Sequence, residues 1–85
     1  MKYTDLRQTI SMMDNADYRE RFKAEYYQVS IRLEKLNAML DKWDRNALDF
    51  VPTCPRATYV FQTDAMEKYK GILEVRAKIE GIDLE

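Results

Sequence analysis

From residue 16 to residue 44 the chain repeats its apolar positions with a heptad rhythm. Phe22, Tyr26, Val29, Leu33, Leu36, Leu40 and Trp43 follow one another at spacings of 4, 3, 4, 3, 4 and 3. That a/d stripe predicts one long amphipathic helix with a narrow packing seam. No Gly or Pro interrupts it. Asp14 or Asn15 can cap its start, and acidic Asp17 and Glu20 suit the positive end of the helix dipole. At ~1.5 Å per residue the helix is roughly 42 Å long.

A second helix is predicted from Pro55 to about Glu80. Pro55 fits the first helical position with Cys54 or Thr53 as cap, and Gly81 suits the C-terminal cap. On a helical wheel Phe61, Ala65, Met66, Tyr69, Ile72, Leu73, Val75 and Ile79 fill roughly half the circumference. That arc is wider than one helix pair covers. Ile82 and Leu84 continue the apolar positions past the cap.

Residues 45–54 form the connection. Asn46 can end the first helix, and Pro52 and Pro55 push their preceding residues toward extended geometry. Leu48, Phe50 and Val51 are too apolar for a free loop, so the segment is expected to lie across the helices and bury Phe50. Residues 4–13 predict a short helix with Thr4 as cap and Leu6, Ile10 and Met13 on one face. Asp14-Asn15 breaks that pattern. The division is thus an N-terminal extension or short helix over 1–14 and a hairpin domain over 15–85.

The predicted fold is all-α: a long antiparallel helical hairpin with a short N-terminal helix. It has surplus apolar surface. The far side of the first helix carries Ala24, Tyr27, Ile31 and Ala38, and the second helix has its broad arc. A two-fold partner would cover this surplus as a four-helix bundle. The other solution is an N-terminal helix folded back over it. The expected state is a dimer or higher oligomer, with Tyr27, Ile31, Met66 and Tyr69 at the interface.

Composition narrows the chemistry. The chain has 85 residues, 46% hydrophobic and 34% charged, with two Gly and two Pro. That excludes disorder and is too few turn-formers for an all-β chain. Fourteen basic and fifteen acidic side chains give a net charge of −1, which is no footprint for DNA or RNA. No apolar run reaches the ~18 residues of a membrane span, and the N-terminus lacks the apolar stretch of a signal peptide. A lone Cys54 points to a reducing, cytoplasmic setting. With no histidine there is no Ser-His or Cys-His pair and no ordinary zinc site. The acidic groups interleave with Lys and Arg at helix-surface spacing, as in Glu20 to Lys23 and Asp41 to Arg45, which reads as a solvated face. Neither catalysis, nor a metal, nor a cofactor is expected.

Three features are candidates for binding. Arg76 falls inside the apolar arc, where it needs a partner; the partner is either Glu25 or a bound anion. Thr53-Cys54-Pro55-Arg56-Ala57-Thr58-Tyr59 sits at a helix N-terminus and offers Thr53, Arg56, Thr58 and Tyr59 to a phosphate, or is an ordinary proline-initiated cap. Arg19, Arg21, Lys23, Tyr26 and Tyr27 interleave basic and aromatic groups that can stack a base and grip phosphate, with Arg21 the chosen contact; a heptad stripe with a charged flank explains the same residues. Cys54 reads as cap or packing.

Several of these segments resemble a family of small proteins from tailed phages and prophages, identified only as related to a product of a crAss-like phage. The resemblance rests on Asp17-Tyr18-Arg19-Glu20-Arg21-Phe22-Lys23-Ala24-Glu25-Tyr26, Leu33-Glu34-Lys35-Leu36 and Met39-Leu40-Asp41-Lys42-Trp43. It continues through Leu48-Asp49-Phe50, the Pro52-Thr53-Cys54-Pro55 turn, and Ala65-Met66 with Tyr69, Leu73, Arg76 and Ala77. It covers roughly residues 16–82 and leaves 1–14 outside. It implies a phage accessory protein acting in a bacterial cytoplasm, and it assigns no functional residue. The expected function is counter-defence: binding and sequestering a host immune nucleotide signal, such as a cyclic nucleotide or other small anion. The alternative is a protein–protein interaction module that inhibits or scaffolds a host or phage protein.

Overall fold

The computed structural model describes residues 3–84. A 3-10 turn over Leu6–Thr9 leads into a single α-turn, α1 (Ile10–Met13). Two long helices follow, α2 (Tyr18–Asp44) and α3 (Arg56–Glu80). The fold is all-helical, and α2 and α3 pack side by side as an antiparallel hairpin about 43 Å long.

The α2 stripe goes inward as its spacing predicts. Phe22, Tyr26, Val29, Leu33 and Leu40 are buried, while Leu36 and Trp43 are half-buried. On α3 only part of the broad arc turns inward. Leu73 and Ala77 are buried and Met66 packs against the same core, whereas Phe61, Ile72, Val75 and Ile79 stay exposed. One helix covers one seam, so the rest of the arc has no cover among the described residues.

The ends are closed by local chemistry. Asp17 caps α2, its Oδ1 accepting from the Arg19 N–H at 2.9 Å. Asn15 stands two residues earlier and accepts from the Asp17 N–H instead, so the cap lies beyond the expected Asp14 or Asn15. Asn46 ends α2 at φ 60°, the left-handed conformation that a short amide side chain tolerates. Gly81 ends α3 at φ 70°, and the Ile82 N–H donates to the Ala77 carbonyl at 2.9 Å. That turn tucks Ile82 into the core. Pro55 takes the cap position of α3 rather than its first turn, and no side chain caps that end, neither Thr53 nor Cys54.

The N-terminal segment folds back on α2. The Tyr3 ring packs tilted against Tyr27 at 4.5 Å between ring centroids, and Gln28 Nε2 donates to Thr9 Oγ1 at 3.0 Å. Tyr27 and Ile31, expected at an interface with a second subunit, are 3% and 1% exposed within the chain itself. Fold-back, the other solution open to the sequence, covers this side of α2. The register differs from the expected one. Thr9 and Met12 are buried and Ile10 and Met13 are exposed, because the 3-10 start rotates the face that meets α2. Asp5, not Thr4, caps this segment, and the Gln8 side chain answers it by accepting from the Asp5 N–H.

Candidate functional site

Antiparallel pairing places the start of α2 beside the end of α3, and the end of α2 beside the start of α3. The candidate anion-binding residues therefore lie at opposite ends of the molecule. Thr53, Arg56, Thr58 and Tyr59 stand at the hairpin end, and Arg21 and Arg76 at the open end.

At the open end the two guanidinium groups are already engaged. Arg21 Nη1 donates to the Asn15 and Ala16 carbonyls at 2.7 and 2.9 Å, which holds the turn before α2. Arg76 donates to Tyr18 Oη at 2.8 Å, pairs with Glu80 at 3.4 Å, and lies over the Phe22 ring at 4.9 Å. It is partly exposed and not sunk in the core. Glu25, its expected partner, accepts a hydrogen bond from Tyr69 instead. A pocket of about 460 Å³ also opens at this end, lined by Tyr26, Glu74, Lys78 and Asp83 among others. Two carboxylates against one lysine make it a poor host for an anion. Tyr26 Oη donates to Glu74 Oε2 at 2.7 Å. Burial, helped by that bond and the nearby carboxylate charge, pushes its pKa up to about 12, so the phenol stays protonated.

At the hairpin end, Arg56 Nη2 pairs with Asp44 Oδ2 at 2.9 Å and Tyr59 meets Trp43 edge-on at 6.0 Å. These contacts clip the first turn of α3 to the last turn of α2. Thr53 and Thr58 are exposed and Cys54 is half-buried. The connection does not cover the helices as expected. Phe50 is 52% and Val51 88% exposed. The chain instead turns at Asn46 and folds against α2, with the Ala47 N–H on the Lys42 carbonyl at 2.8 Å.

That turn makes two adjoining grooves with Leu48 and Phe50 in both. One, of about 290 Å³, is lined by Lys35, Ala38, Met39, Lys42, Ala47 and Asp49 as well. The other, of about 320 Å³, runs past Trp43, Asn46, Val51 and Pro52. Lys35 and Lys42 are seven residues apart on one face of α2, both exposed. Neither has an ion pair among the described residues. Phe50 supplies an open aromatic face beside them. Sequence reasoning missed this set, although the i, i+7 lysines flanking Ala38 and Met39 were in view, because only the fold-back of residues 47–50 makes them one wall.

Among the described residues no group of acidic or Cys side chains is placed to hold a metal ion, and no helix is long and apolar enough to cross a membrane. The described residues thus form a helical hairpin with open amphipathic grooves at its turn. Residues 16–79, which span α2, the turn and almost all of α3, match the Sequestin family, and the chain belongs to that family. Its name is that of a sequestering protein. The N-terminal segment lies outside the match, as it lies outside the resemblance. No curated protein and no solved structure matches the chain.

Proposed function

We propose that the protein captures a small anionic ligand, a nucleotide signal of a host's antiviral response, and holds it without converting it. The phage origin and the counter-defence role belong to this reading and rest on the resemblance. The observation that carries it is the groove beside Phe50. Two unpaired lysines face one carboxylate there, next to an exposed ring and the apolar edges of Met39 and Leu48. A nucleotide divides in the same way, into a base that stacks and phosphates that need cations. The two grooves are each at the lower end of the ~300–1,000 Å³ range of small-molecule sites. Arg56 and Tyr59 border the same end, while Arg21 and Arg76 stand too far away to join it in one chain.

Calorimetry against cyclic dinucleotides, cyclic ADP-ribose isomers and mononucleotides tests the reading. Saturable binding with the ligand recovered intact is expected. Lys42→Glu should weaken it about tenfold or more, the scale of one lost charge-assisted contact. Thermal-shift screening that finds no stabilising nucleotide sinks the proposal.

A further inference from the structure

The outer face of α3 carries a second heptad stripe. Phe61, Ala65, Lys68, Ile72, Val75 and Ile79 follow at spacings of 4, 3, 4, 3 and 4, and all six are exposed. Phe61 is 72% exposed, Ile72 59%, Val75 58% and Ile79 79%. Scattered apolar residues on a surface are ordinary; a row kept in register over about five helical turns is not. A repeat of 3.5 residues is the seam for another helix. The stripe also contains a ready socket. Lys68, Gly71, Ile72 and Val75 stand at i, i+3, i+4 and i+7, the four positions that receive a knob from a facing helix. With Arg76 they line a shallow depression of about 460 Å³. Gly71 leaves open space where a Cβ would stand, which deepens the socket.

We infer that α3 packs along this stripe against α3 of a second copy of the chain, antiparallel, about a two-fold axis near Gly71. Charge selects the orientation. A parallel pair in register would set Lys68 against the partner's Lys68 inside the seam. The antiparallel pair sets Lys68 against the partner's Ile72, Ala65 against the partner's Val75, and Phe61 against the partner's Ile79. It also places Asp64 beside the partner's Lys78 on both sides of the axis. Asp64 and Lys78 have no ion pair within the chain among the described residues. Gly71 meets the partner's Gly71 at the axis, where the backbones come closest. The four large side chains offer on the order of 500 Å² of apolar surface per protomer, so roughly 1,000 Å² for the pair, the lower bound for a specific interface. This interface replaces the expected set of Tyr27, Ile31, Met66 and Tyr69, of which Tyr27 and Ile31 are buried within the chain, Met66 packs on its core and Tyr69 bonds Glu25, and it stands independently of the ligand groove.

Sedimentation of the full chain at tens of micromolar should give twice the 10.2 kDa chain mass; a monomer there overturns the inference, even one that binds a different protein through this face. Ile72→Glu changes a side chain already exposed in the protomer, so helix content by circular dichroism should hold while the dimer dissociates. A dimer that survives Ile72→Glu overturns the surface. In a Cys54→Ser background, Gly71→Cys should cross-link under mild oxidation and Asp64→Cys should not. The reverse pattern overturns the antiparallel arrangement.

Discussion

Tyr26 is 7% exposed and reaches Glu74 across the hairpin with its hydroxyl. The ring is fixed edge-on to Tyr27 at 5.6 Å, with Lys70 Nζ 5.9 Å from its centroid. Burial disfavours the phenolate, and the bond to Glu74 needs the proton. The pKa therefore rises from 10.0 in the unfolded chain to about 12 in the fold. A raised folded pKa contributes stability that is fully present below the unfolded value. It is lost as pH climbs from 10 through about 12, because the unfolded chain releases this proton first. Tyr26→Phe removes the hydroxyl and with it that loss. Below pH 10 the variant should be less stable by about 1 kcal/mol, the net worth of one hydrogen bond, since exposed Glu74 can turn to water. Urea melts across the interval should show the gap closing as pH rises. A gap that stays constant to about pH 12 would show that the Tyr26 proton is not coupled to folding. The sequence offers Tyr26 as a member of an apolar stripe or as a ring to stack a base; its link to Glu74 spans 48 positions and no local spacing announces it.

The elements differ in how much of them the sequence carries. In α2 the stripe and the chain's own seam coincide, because a repeat sustained from Phe22 to Trp43 leaves one face to bury. In α3 the arc from Phe61 to Ile79 was legible, but not which half of it meets α2. That is decided by the partner helix, which takes Met66, Leu73 and Ala77. The N-terminal segment is too short for its own pattern to set the register. Its docking onto Tyr27 and Gln28 buries Thr9 and Met12 where spacing favoured Ile10 and Met13. The Gly81 end of α3 was readable, because a left-handed residue after the last turn favours glycine on local sterics alone. Gly81→Ala puts a Cβ on a residue at φ 70°. No neighbour lies within 4 Å of that Cβ, so the cost is backbone strain and not a clash. A loss of about 1 kcal/mol is expected by chemical denaturation. If the variant is as stable as the parent, the left-handed cap is not what seats Ile82.

The molecule is a rod 43 Å long and 24 by 19 Å across. Its length separates the aromatic core from the grooves proposed to take the ligand. The open end holds the aromatic core around Tyr26, Tyr27, Phe22 and Leu73, with the N-terminal segment laid over it. The hairpin end holds the turn at Asn46, the Arg56–Asp44 pair and the grooves lined by Lys35, Lys42 and Phe50. Among the described residues, the ring contact and hydrogen bond that tie the N-terminal segment to α2 are made at Tyr27 and Gln28, not at the groove residues. Stability and ligand capture should therefore be separable. Removing residues 1–15 leaves the span shared with the Sequestin family but bares Tyr27 and Ile31. Uncovering two large buried side chains costs about 1.5–3 kcal/mol each, so the midpoint of urea denaturation should fall well below that of the parent. Ligand affinity should stay within about twofold, since effects at sites this far apart are close to independent. Lys42→Glu should do the opposite, with unchanged stability, as surface substitutions usually have, and a large loss of binding. A truncated chain that keeps its fold yet loses the ligand would move the site to the open end, among Arg21, Arg76 and Tyr18.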